Sequence, residues 1–165
     1  MQYLGLQCEH RTISLPVPNF PGYVMNYQLD LVFSRQKAIL TSETAHIHPT
    51  EIVGSVKTTS KDRIDKLFLD KYLLRKLLGR DVPVVAIFLH DVQRAARKDS
   101  QFAINATFKT GHFLGYTVAL TNLDGVYYVD PRPDMLTNPR LTKHIHRIEQ
   151  FLTRDMWALS GEKSP

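Results

Sequence analysis

Residues 51–89 read EIVGSVKTTSKDRIDKLFLDKYLLRKLLGRDVPVVAIFL, and their changes of period decide the fold. Glu51 to Thr59 carries Ile52, Val53 and Val56 in a run of β-formers, so it reads as a strand. Ile64, Leu67, Phe68, Lys71, Tyr72, Leu74 and Leu78 then follow the i, i+3, i+4 spacing of an amphipathic helix. Ser60 is the expected N-cap, Asp62 lies in the first turn and Gly79 stands just past the end. Pro83 to Leu89 is a near-continuous apolar run, the pattern of a strand buried on both faces.

Working outward, Tyr23 to Phe33 is rich in β-formers and reads as a strand with Asp30 inside it. Ala38 to Thr44 is a further candidate strand. Residues 1–22 read as irregular, because Pro16, Pro18, Pro21 and Gly22 crowd together. Beyond the central unit, Phe102 to Phe108, Phe113 to Leu120 and Val126 to Val129 read as strands, with Arg94 to Lys98 as a polar loop. Leu141 to Trp157 reads as a helix and 160–165 as a frayed tail. This order implies an α/β domain spanning 1–165, with a mixed central sheet flanked by helices.

The 165 residues suffice for one compact core. Apolar residues make up 43% and charged residues 22%, the balance of an ordinary globular chain. The formal charge of +5 suits a polyanionic partner without requiring one. A single cysteine, Cys8, excludes an intrachain disulfide and fits a reducing compartment. No apolar run approaches the roughly 20 residues of a membrane helix. There is no signal-peptide layout, and the chain reads as cytoplasmic.

Two strands place an ionisable group where the core favours an apolar one: Asp30 in QLDLVF and Lys57 in VGSVKTT. Such groups are costly unless they pair or bind something. Ser55 and Lys57 stand two apart, so they share a face that meets Asp30 if the strands are neighbours. Lys61 and Arg63 sit at the start of the helix, where cations oppose the helix dipole. A bound anion such as a DNA phosphate explains them better. His90 follows the apolar strand and either contacts DNA or shapes a cleft. Arg94, Arg97 and Lys98 form a basic loop suited to phosphate. His46-x-His48 sits in a loop with no cysteine to complete a zinc site. On a helix, the spacing of two in His144-x-His146 puts its members on different faces, so that pair reads as surface.

Asp30, about two dozen residues, then Ser55-Val56-Lys57 resembles the PD-(D/E)XK pattern of type II restriction endonucleases. The longer string SVKTTSKDR is similar to restriction enzymes that recognise CCGG-bearing sites. The resemblance covers roughly Tyr23 to Leu89. It implies a restriction-endonuclease-like fold and magnesium-dependent, site-specific hydrolysis of double-stranded DNA, usually by a homodimer. It further implies that Asp30 ligates the metal and that Lys57 stabilises or activates the attacking water. Ser55 stands where the triplet carries an acid; in the sub-group this resembles, a carboxylate from the following helix replaces it. Asp70 is the candidate, with Glu51 in reserve. The implied DNA contacts fall on Lys61, Arg63, His90, Arg94, Arg97 and Lys98. Leu29 stands where the family often has proline. Only about two dozen residues precede the first catalytic strand, so the chain reads either as a minimal enzyme or as a piece of a longer gene product. Two rivals remain: a repair or junction nuclease on the same fold, and a DNA-binding or assembly module with a degraded site.

Overall fold

The computed structural model describes residues 5–61, 63–94 and 104–161. Six strands form one sheet: β1 (Gln7–Pro16), β2 (Val24–Ser34), β3 (Ile52–Lys57), β4 (Val84–Phe88), β7 (Gly125–Tyr128) and β8 (Ile145–Arg147), side by side in that order. A separate pair, β5 (Val92–Arg94) and β6 (Ile104–Ala106), lies outside it. β1, β2 and β3 are antiparallel neighbours, whereas β3, β4, β7 and β8 run parallel. The expected mixed sheet flanked by helices is therefore present.

Helix α1 (Ile64–Leu78) crosses from β3 to β4, as the central stretch implies. It stops at Gly79, whose φ of 66° is the left-handed conformation that glycine adopts without penalty. Its start differs from expectation. Arg63 occupies the N-cap position without a side-chain cap, and Ser60 is buried, donating instead to Asp91 Oδ1 at 2.8 Å.

Alternation on the parallel strands divides the core between two faces. Val53, Val84, Ala86, Phe88, Val126 and Tyr128 face one way, into a cluster with Leu67, Phe68 and Leu74 of α1. Val85, Ile87 and Tyr127 face the other way, into a cluster with Phe151, Met156 and Trp157. All of β4 and β7 is buried, as strands covered on both sides must be.

Several further expectations are corrected. Residues 7–16 are a strand rather than irregular chain. Ile13 and Leu15 alternate inward, and the prolines are confined to the strand's last residue and the connection, where no ladder donor is needed. Ala38 to Thr44 is no strand. The amides of Leu40 and Thr41 bond the Glu51 carboxylate at 2.6 and 2.8 Å, which removes them from any ladder. Phe113 to Leu120 lies mostly in α2 (Thr110–Ala119), where Phe113 and Tyr116 share a face and each packs its ring 5.6 Å from Phe68. Tertiary packing overrides the strand propensity of Phe, Tyr, Thr and Val there. Finally, Leu141 to Trp157 is not one helix. β8 (Ile145–Arg147) takes part of its first half, after α3 (Pro133–Thr137), and only then come α4 (Ile148–Gln150), a π-helical turn (Phe151–Asp155) and α5 (Met156–Leu159) in unbroken succession. Ser160, expected to open a frayed tail, is instead buried and donates to Trp157 O at 3.0 Å; residues 162–165 lie outside the described residues.

One irregularity positions the site. Glu9 pairs with Val32 but Arg11 pairs with Leu29, so Asp30 and Leu31 both stand opposite His10. This is a β-bulge in β2, one extra residue that shifts the phase of the strand. Leu29 and Val32, three apart, consequently join the same core cluster on the α1 face.

Candidate active site

An open cleft of about 850 Å³ lies between β2, β3 and α1. Asp30, Ser55, Lys57, Arg63, Lys66 and Asp70 all line it. Asp30 comes from the bulge, Ser55 and Lys57 from alternate positions of β3, and the other three from the start of α1. The side chains of Asp30 and Lys57 are 35% and 26% exposed, so both reach solvent.

Asp30 Oδ2 accepts from Ser55 Oγ at 2.9 Å and from the Val56 amide at 3.0 Å, and it forms an ion pair with Lys57 Nζ. No hydrogen bond from a described residue reaches Oδ1. Burial pushes the carboxyl pKa up, but the bonds from Lys57, Ser55 and Val56, with the Lys57 charge, outweigh it and hold the group below its ordinary value. The sign follows for stability. A depressed carboxyl contributes above its unfolded pKa, about 3.9, and the contribution fades as pH falls through the lower folded value. Melting temperatures of the protein and an Asp30→Asn variant should therefore differ by a constant amount from pH 8 to about pH 5. The gap should narrow only in stronger acid. A gap that closes near neutrality would contradict this assignment.

Asp70 faces the same cleft from α1. Its Oδ2 meets Lys66 Nζ at 2.6 Å, an i, i+4 pair. Lys71, the other lysine within its reach in sequence, turns inward, where it is buried against Asp124 and 3.8 Å from Asp81. Tyr27 also lines the cleft. Burial raises its hydroxyl pKa, and the Asp70 charge adds to the effect. The pairing of Asp70 with Lys66 is one that i, i+4 spacing offers, but nothing in the sequence marks Tyr27 as a cleft residue. Tyr27 is one β-former among several in its strand, and only the bulge sets it on this face.

Glu51 is a correction. Its carboxylate is fully buried, both oxygens are taken by the Leu40 and Thr41 amides, and it is not part of the cleft lining. Its role is to anchor a loop. Lys61 is exposed beyond the cleft, whereas Arg63 is exposed at its rim. His90 is half-buried at the end of β4. Its Nδ1 accepts from the Val92 amide at 3.3 Å, and its own amide bonds Thr58 O at 3.1 Å. Arg94 lies in β5, registered against Ile104, and not in a loop. Arg97 and Lys98 lie outside the described residues. Among the described residues, no group of three or more His, Cys, Asp and Glu side chains is arranged to hold a metal. His48 bonds Thr50 Oγ1 at 3.0 Å instead.

Asp91, the residue after His90, is a buried hub. Ser60 Oγ and Thr107 Oγ1 donate to its Oδ1, Arg132 Nε approaches Oδ2 at 3.2 Å, and Thr107 N bonds its carbonyl at 3.1 Å. It thereby ties together the segments that follow β3, β4 and β7.

No protein-family description matches the sequence, and no curated protein sequence matches it either. A solved structure does: the type IIP restriction endonuclease Kpn2I superposes with a TM-score of 0.58 at 21% identity, over 69% of this chain. The fold is restriction-endonuclease-like. The chain corresponds to 37% of the length of Kpn2I, and at this identity the likeness speaks for the fold alone. Among the described residues, no helix of this restriction-endonuclease-like fold is long and apolar enough to cross a membrane.

Proposed function

We propose that this chain is a single nuclease domain that hydrolyses phosphodiester bonds of double-stranded DNA with magnesium, as a site-specific endonuclease. The observation that carries this reading is the convergence of Asp30, Ser55 and Lys57 in an open cleft, with Asp70 on the facing helix. Magnesium keeps several waters and takes only one or two protein carboxylates beside substrate phosphates. Three carboxylates line the cleft, Asp30, Asp70 and Glu43, the last of them accepting from Ser14 Oγ. Without a three-ligand cage among the described residues, Asp30 and Asp70 suit that habit better than they suit zinc or calcium. When bound, the ion would polarise the scissile phosphate and lower the pKa of a bound water.

Asp30 Oδ1 and Asp70 would hold the ion. Asp30 is kept ionised by its donors, so it is ready to ligate at neutral pH. The Ser55 hydroxyl fixes the Asp30 carboxylate through Oδ2 and leaves the other oxygen free for a cation. Lys57 places a positive charge where negative charge develops on the phosphate, and it orients the attacking water. Arg63 and Lys66 at the rim would hold the DNA backbone. Recognition of a palindrome by a two-fold homodimer completes the reading.

Incubating the full chain with phage DNA and magnesium, then sequencing the fragment ends, tests this. Discrete fragments with a shared end sequence are expected; intact DNA would refute it. Asp70→Asn should cut at least about a hundredfold more slowly, since a lost ligand weakens several kcal/mol of charge stabilisation. A rate within threefold of the unaltered protein would remove Asp70 from the metal site. The specific observation favouring a second reading, an inert DNA-binding module, is Ser55 in place of an acid. Calorimetry with magnesium in the presence of DNA separates the two, because the module would show no metal-dependent heat.

A further inference from the structure

The connection between β1 and β2 is apolar where solvent would favour polar groups. Phe20 is 62% exposed, Tyr23 70% and Val24 57%, with Met25 beside them at 38%. Single exposed apolar residues are ordinary, but four within residues 20–25 concentrate apolar surface at one hairpin tip, on both of its faces. The tip is also braced. Val17 N bonds Tyr23 O at 3.0 Å, while Phe20 N bonds Val17 O and Tyr23 N bonds Phe20 O, both at 3.2 Å. Pro16, Pro18 and Pro21 fix backbone angles along it. Asn19 and Gly22 take the left-handed conformations that turn the chain. Ordering these side chains against a partner thus needs little further loss of backbone freedom.

Two observations say what the patch meets. First, Met25 belongs both to the patch and to the lining of the cleft that holds Asp30, so the tip continues the candidate nuclease surface. Second, residues 10–29 contain no Asp or Glu, although the chain has 16 such residues. The nearby carboxylates lie below the tip: Glu43 accepts from Ser14, and Glu9 pairs with Arg11 at 2.5 Å. A polyanion therefore meets no carboxylate in the tip segment itself, and the neutral Thr12, Asn26 and Gln28 line the cleft beneath it beside Glu43.

We propose that the β1–β2 tip is an apolar wedge for double-stranded DNA, pressing Phe20 and Tyr23 against a base step. Proteins that bend DNA insert Phe, Met and Pro side chains between steps in this way. The reach is suitable. Seven residues of strand separate Tyr23 from Asp30, about 23 Å at the usual rise. That span corresponds to about seven base pairs. The wedge therefore acts away from the phosphate that is cut, on the flank of the site. This inference rests on the nuclease reading for the identity of the partner.

The test uses the full chain, a mixed-sequence 30-base-pair duplex and calcium in place of magnesium, with binding read by fluorescence anisotropy. A Phe20→Ser/Tyr23→Ser double variant should bind about tenfold or more weakly, the scale of lost base–aromatic contact. Phe20→Trp and Tyr23→Trp should retain affinity, because the aromatic face is what matters. Both positions are exposed, so the melting temperature serves as the folding control. If folding fails in the double variant, the single Phe20→Ser variant gives the same reading. Unchanged duplex affinity in the serine variants would overturn the wedge and leave the nuclease reading intact. So would unchanged affinity together with loss of a self-associated species in sedimentation, which would assign the patch to a second copy of the chain. An unaltered protein that binds no duplex at all would refute both.

Discussion

Lys57→Ala is expected to lower the rate of DNA cleavage by at least a hundred- to a thousandfold, about the cost of removing one charge-stabilising donor from a hydrolytic site. Binding to duplex in calcium should change little, because Arg63 and Lys66 remain at the rim. The separation of the two effects is the informative part. A group that acts on developing charge lowers the rate constant, whereas a group that merely holds the backbone weakens binding. A further signature distinguishes this lysine from a surface cation. Asp30 owes part of its depressed pKa to Lys57, against burial that pushes the other way. Without the lysine, the Asp30 pKa should rise, so calcium binding should weaken at a higher pH than in the unaltered protein. Rapid-quench rates and calcium titrations across pH measure both. Full cleavage by the alanine variant would end the proposed mechanism.

Asp91→Ala should be among the most destabilising single changes available. The carboxylate is 0% exposed and serves Ser60, Thr107 and Arg132 together. Removing one partner of a buried charge network leaves the others without partners and costs about 3 kcal/mol or more. For a chain of this size that is a fall of about 6–12 °C in melting temperature. Calorimetric unfolding would show it, and a fall under about 3 °C would mean that water or a shifted Arg132 replaces the carboxylate. Because Ser60 lies three residues beyond Lys57, the variant should also loosen the end of β3. Cleavage at low temperature, where the variant stays folded, should therefore fall as well.

The parts of the fold that were legible are those with one dominant period. α1 shows its apolar stripe and its Gly79 stop, and β4 shows a run that only a doubly covered strand carries. The convergence of Asp30 with Ser55 and Lys57 was legible for the same reason, since charged groups inside apolar strands stand out. What was not legible depends on partners distant in sequence. Glu51 looked like a ligand in reserve until the amides of Leu40 and Thr41 claimed it. Ser60 looked like a cap, but Asp91, far along the chain, holds its hydroxyl. Phe113 and Tyr116 carry strand propensity, and only the ring of Phe68 makes a helix the better arrangement. β1 was masked by prolines whose influence ends at the strand's last residue.

The extra residue in β2 has a wider meaning. It acts as a phase joint: the outer arm of the hairpin turns its odd-numbered residues towards α1, and the inner segment turns its even-numbered ones. The two segments are thus set independently. Residues can be gained or lost in matched pairs across the arm, lengthening or shortening its reach along a bound partner, while the carboxylate at the joint keeps its aim. An unmatched change on the inner side would rotate that carboxylate away. The same backbone can therefore vary its reach freely and its chemistry hardly at all.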